Sequence, residues 1–146
     1  MQSPDEPFME HPTGEFPDAV AAMEHAIARL RALDTWDRWI AFNGQGQGSR
    51  PDSYRMAEIR LRGDEIRIDE PLAEVSAILR VGDLDDDDID IEFDGAGGIR
   101  VRRATPMQLA KFLDGLFRGH LGVRKFDDEN HYTVGAEWCD DLGNPS

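Results

Sequence analysis

Cysteine is almost missing from this chain, and lysine nearly so. Among 146 residues there is one cysteine, Cys139, and the 16 basic residues are 14 arginines and 2 lysines. A single thiol excludes an internal disulfide framework and a cysteine-built zinc site, so the expected address is a reducing cytoplasm. Long apolar runs are missing too: nothing approaches the ~18–20 residues that cross a bilayer. The opening MQSPDEPFMEHP is acidic and proline-bearing, where a secretory leader would be basic and then apolar. Positive charge is in deficit, since 30 Asp+Glu against 16 Lys+Arg leave a net charge of -14. Such a chain repels phosphate, which argues against nucleic acid and anionic membranes as partners and favours a basic protein.

What is present suffices for a core. With 40% hydrophobic residues, a chain of this length buries roughly two-thirds of its unfolded surface as one domain. Residues 1–15 carry three prolines and little that packs, and read as a flexible N-terminal tail. Residues 16–139 read as a single domain, and 140–146 as a loose C-terminal tail. Pro17 and Asp18 suit a helix start, and Val20, Met23, Ile27 and Leu30 continue it as an apolar stripe. WDRWIAF at 36–42 reads as a strand. NGQGQGSRPDS at 43–53 reads as a loop, because glycine and proline interrupt regular structure. From Tyr54 the period becomes two, with Ala57, Ile59 and Leu61 on one side and Glu58, Arg60 and Arg62 on the other. A turn at Gly63 and Asp64 then returns the chain through Ile66 and Ile68. Residues 71–81 place Leu72, Val75, Ile78 and Leu79 on a helical face behind Pro71, although the span also suits a strand.

The next hairpin predicts its own register. Pairing Phe93 with Ile99 pairs Ile91 with Val101 on one face, and sets Glu92 opposite Arg100 and Asp90 opposite Arg102 on the other. Thr105-Pro106-Met107-Gln108 has the form of a capping box before a helix that buries Leu109, Phe112, Leu113, Leu116 and Phe117. Tyr132, Val134, Ala136 and Trp138 alternate as a closing strand. The expected class is α+β, an antiparallel sheet of hairpins with two or three helices packed on one face.

Two features stand out as candidate partner-binding residues. The first is GDLDDDDIDIE at 82–92, an acidic run without a cation. Within it Asp90 and Glu92 have arginines across the hairpin, whereas Asp83, Asp85, Asp86, Asp87 and Asp88 do not. Neighbouring solvated carboxylates repel by about 1 kcal/mol per pair, and a basic partner relieves that repulsion. Calcium is the competing reading, but the nearest EF-hand match, Asp90 to Gly95, has Val101 where the bidentate glutamate belongs. The second feature is Gly44, Gln45, Gly46, Gln47 and Gly48. It lacks the lysine of a phosphate loop and the G-x-G-x-x-G spacing, which leaves a flexible linker or a slender loop able to enter a cleft. Trp36, between helix and strand, is the tryptophan expected to be exposed. The four histidines, Cys139 and the serines show no ligand or nucleophile spacing. No catalytic residue, metal or cofactor is expected.

On the acidic run Asp83 to Glu92 and the segment Gly44 to Gly48, the chain resembles the immunity proteins of bacterial polymorphic-toxin systems. That resemblance implies a small acidic α+β protein that inhibits a cognate toxin by covering its active site. Two other functions compete. A small ligand-binding protein or enzyme would hold a pocket between sheet and helices. A DNA mimic would spread its carboxylates over a long face, whereas here they gather in one loop.

Overall fold

In the computed structural model the described residues are 9–10, 18–32, 38–48, 53–72, 74–85, 87–94, 96–125 and 132–139. In chain order the elements are β1 (Met9–Glu10), α1 (Ala19–Ala32), β2 (Trp39–Gln47), β3 (Tyr54–Arg62), β4 (Glu65–Arg67), α2 (Ser76–Val81), β5 (Asp90–Phe93), β6 (Gly98–Arg102), α3 (Pro106–Gly119) and β7 (Thr133–Cys139). The strands form one seven-stranded sheet ordered β1-β7-β2-β3-β4-β6-β5, and every pairing is antiparallel. The fold is α+β, as the pattern of hairpins and apolar helices predicts.

Period-two alternation sorts each strand. Ile40 and Phe42, Ile59 and Leu61, Ile66, Ile99 and Val101, and Val134, Ala136 and Trp138 turn toward the helices and join one core with Met23, Ile27, Leu30, Phe112, Leu113, Leu116 and Phe117. α3 starts as its sequence dictates. The Thr105 side chain accepts from the Gln108 N–H, the Gln108 side chain accepts from the Thr105 N–H, and Pro106 fills the first turn.

The other face of the sheet is a quilt of charge. Glu65 is within ion-pair distance of Arg62, Arg67 and Arg100, and Arg60 reaches Glu58 and Asp69. Beneath it Trp39 and Ala41 form a small second cluster, with the Arg62 and Arg67 guanidinium groups 4.7 and 5.4 Å from the Trp39 ring centre. Trp39 and Trp138 are buried.

Four expectations are corrected. Met9–Glu10, within the span read as tail, forms a strand opposite Glu137 and Ala136 of β7. The helix read at 71–81 is only Ser76–Val81; Leu72 is buried while its chain is non-helical, so its apolar contact needs no helix. Residues 43–47 are not a loop but the second half of β2, central in the sheet and paired on both sides from Asn43 to Gln45. The β5–β6 register is the expected one, yet the ion pairs run diagonally, Arg102 to Glu92 at 3.1 Å and Arg103 to Asp90 at 2.8 Å. Long arginine side chains reach past the residue directly opposite.

Candidate partner-binding surface

The acidic run is presented by a helix stop. α2 ends at Val81 with Gly82 as its C-cap, and Asp83 takes the left-handed conformation with φ 57°, which aspartate tolerates better than most residues. The Asp83 N–H donates to the Arg80 carbonyl and the Leu84 N–H to that of Leu79, the paired bonds of a Schellman stop. Leu84 packs on the core. The Asp85 side chain then accepts from the Asp87 N–H at 3.0 Å, the Asp88 N–H donates to the Asp85 carbonyl, and Ile89 is buried. Two apolar residues therefore anchor the loop while Asp83, Asp85, Asp87 and Asp88 are exposed; Asp86 lies outside the described residues.

The neighbouring acids find partners within the hairpin. Arg103 grips Asp90 through two bonds of 2.8 and 2.9 Å and holds its carboxyl below the usual aspartate range. Glu92 has Arg102. Asp94 accepts from the Ala96 and Gly98 N–H groups at 2.8 and 3.0 Å, which lowers its pKa. The stretch resembling a calcium loop thus uses its carboxylates internally, and among the described residues no group of three or more His, Cys, Asp or Glu is arranged to hold a metal. No ion pair is formed by Asp83, Asp85, Asp87 or Asp88 among the described residues, although Asp88 lies in the field of Arg103.

Gly44 to Gly48 occupies a different place. Gly44 and Gly46 face the helices and are buried, while Gln45 and Gln47 are half-buried on the opposite face. There the Tyr54 hydroxyl donates to Gln45 Oε1 at 2.7 Å, and Tyr54 and Met56 are 56% and 58% exposed. These are the kinds of residue that centre protein interfaces. β5 begins beside the Gly63–Asp64 turn, since Val101 donates to Asp64 and Arg102 pairs with Asp90. Tyr54 is at the other end of β3. The sheet therefore separates the acidic loop from the glutamines instead of joining them in one surface. Trp36 lies outside the described residues.

One polar cluster escapes sequence reasoning. Asp114, the one buried charged residue among those described, sits on the inner face of α3. It accepts from Tyr132 Oη at 2.9 Å and from Arg118 Nη2 and Nε at 2.7 and 3.1 Å, and Arg118 also donates to the Val81 carbonyl at 3.2 Å. Beside it lies a cavity of about 70 Å³ reached also by Asp18 and Lys125. Its i, i+4 spacing with Arg118 was visible in the sequence; its bond to Tyr132 was not.

Burial, then the negative field of Asp114, pushes the Tyr132 hydroxyl well above the usual tyrosine pKa. The unfolded chain therefore loses this proton first as pH rises, so the stability Tyr132 contributes is complete below about pH 10 and is lost above it. Tyr132→Phe is expected to flatten the fall in urea midpoint between about pH 9 and 11; an unchanged slope would assign the alkaline loss to other groups.

Compared with known proteins, the chain matches no family model, no curated protein and no solved structure. Among the described residues no helix is long and apolar enough to cross a membrane.

Proposed function

We propose that this chain is a non-enzymatic, cytoplasmic binding protein that captures a basic protein, in the manner of an immunity protein covering the active site of its cognate toxin. One observation carries the reading. The arginines of the sheet face are committed to Glu58, Glu65, Asp69, Asp90 and Glu92, while four exposed aspartates at 83–88 stand on an anchored loop without an ion-pair partner among the described residues. Their mutual repulsion is a cost the free protein carries and a cationic surface removes. An anchored loop also loses less conformational freedom on binding than a mobile tail would.

The test is kinetic. The immobilised chain is expected to retain a basic protein from a lysate of its own cell at low salt and release it at high salt. Replacing Asp83, Asp85, Asp87 and Asp88 together by Asn keeps the side-chain oxygen with which Asp85 caps its turn and removes only charge. The association rate for the captured protein should fall about tenfold at low salt, with a flatter salt dependence and a urea midpoint that is level or higher. Unchanged association kinetics would end the proposal.

A further inference from the structure

β3 has nine residues and β4 three, so β4 covers only the Arg60–Arg62 end of its neighbour. Past Arg67 the chain turns away, and Ile68 donates to Gly97 on the β6 side. Residues 54–58 therefore have β2 on one side and, among the described residues, no strand on the other. The ladder's phase shows which groups are left over. Gly48 donates toward β3, and Gln47 exchanges bonds with Arg124 on the far side of β2. Even positions of β2 thus face β3. Through the pairs Gly46↔Arg55 and Gly44↔Ala57, odd positions of β3 face β2. The N–H and C=O groups of Met56 and Glu58 consequently point outward, into a groove of about 410 Å³ walled by Asp69, Glu70 and Leu121.

The groove is acidic. Its three carboxylates share two arginines among the described residues: Arg55 is committed to Glu70 at 2.6 Å and to the Leu121 carbonyl at 2.8 Å, and Arg60 lies 3.8 and 3.5 Å from Glu58 and Asp69, which leaves one negative charge in excess. Partial burial, together with Asp69 and Glu137, holds the Glu58 carboxyl above its ordinary value against the pull of Arg60. A positive charge entering here would relieve that crowding. A second copy would set Glu58, Asp69 and Glu70 against the same three carboxylates, which opposes edge-to-edge pairing of the chain with itself.

We propose that the open edge of β3 receives an extended, basic segment of the partner protein, added as a strand on Met56 and Glu58 with its lysines or arginines directed to Glu58, Asp69 and Glu70. This rests on the reading of the chain as a binder of a basic protein, and locates a second contact at the opposite end of the sheet from the acidic loop. The probe is a peptide of alternating lysine and valine, with alternating glutamate and valine as control, followed by amide hydrogen exchange on the full chain. The Met56 and Glu58 amides should slow by about tenfold or more with the basic peptide alone. Met56→Pro removes one outward N–H without touching the β2 ladder and should abolish the slowing at Glu58. Glu58→Lys, which leaves the backbone intact, should abolish the response as well. The acidic-loop Asn variant should keep it, so loss of partner capture in that variant reports on the loop and loss of peptide protection on β3. Protection confined to the acidic loop, protection that appears without peptide as protein concentration rises, or no protection at all would each overturn the assignment.

Discussion

Replacing Gly46 by alanine is expected to destabilise the chain by about 3 kcal/mol, at the upper end of what a misplaced methyl group does in a packed core. A Cβ at this position would run into the Arg124 carbonyl oxygen and stand 3.0 Å from both Tyr132 Cβ and Val123 Cγ1. A side chain could rotate away, but the carbonyl cannot, because it accepts from the Gln47 N–H at 2.9 Å in the bridge that fixes 124 to β2. Gly44 is confined by softer matter, the Phe117 ring at 2.7 Å, so Gly44→Ala should cost less as the ring moves. Gln45→Ala, on the opposite face of the same strand, should stay within about 1 kcal/mol. Urea midpoints of the three variants decide the matter. Equal losses at 44 and 46 would mean that the backbone of residue 124 yields as readily as an aromatic ring.

Those glycines also mark where sequence reading fails. Glycine carries a local penalty in strands, so GQGQG reads as a break. Tertiary packing overrides that penalty: the space that Cβ atoms would need is occupied by Phe117, Val123, Tyr132 and the chain at Arg124. The signal was present. Asn43, Gln45 and Gln47 keep the polar phase of the strand, and Gly44 and Gly46 continue the phase of Ile40 and Phe42. The β5–β6 hairpin was legible because apolar residues and charges had to satisfy one register together, and α3 because its cap is a local motif. The exposure of the acidic loop was legible as well, since nothing in 83–88 except Leu84 could pack. The open edge of β3 was not, because it depends on β4 being too short to cover its neighbour, a length set by where Ile68 turns toward Gly97.

Asp114→Ala should be the more damaging polar substitution, with an expected loss of about 3–5 kcal/mol, the usual result of removing one member of a buried ion pair. Two groups would lose this carboxylate as an acceptor: the hydroxyl of Tyr132, a residue 1% exposed, and the partly buried Arg118 guanidinium. Tyr132→Phe removes a donor while leaving Asp114 its arginine, so it should cost only about 1 kcal/mol. In the double variant no tyrosine hydroxyl loses its carboxylate acceptor, and the loss of stability should fall short of the sum by about 1 kcal/mol or more. The consequence reaches the acidic loop. Arg118, oriented by Asp114, also holds the Val81 carbonyl, which lies at the end of α2 directly before Gly82 and Asp83. Without Asp114 that tether has no orienting carboxylate, and the helix stop that displays the aspartates should open more often. Amide exchange at Leu84, whose N–H closes that stop on Leu79, should therefore quicken beyond what the global loss of stability explains. If Leu84 exchange only follows global unfolding, the network stabilises the fold without positioning the loop.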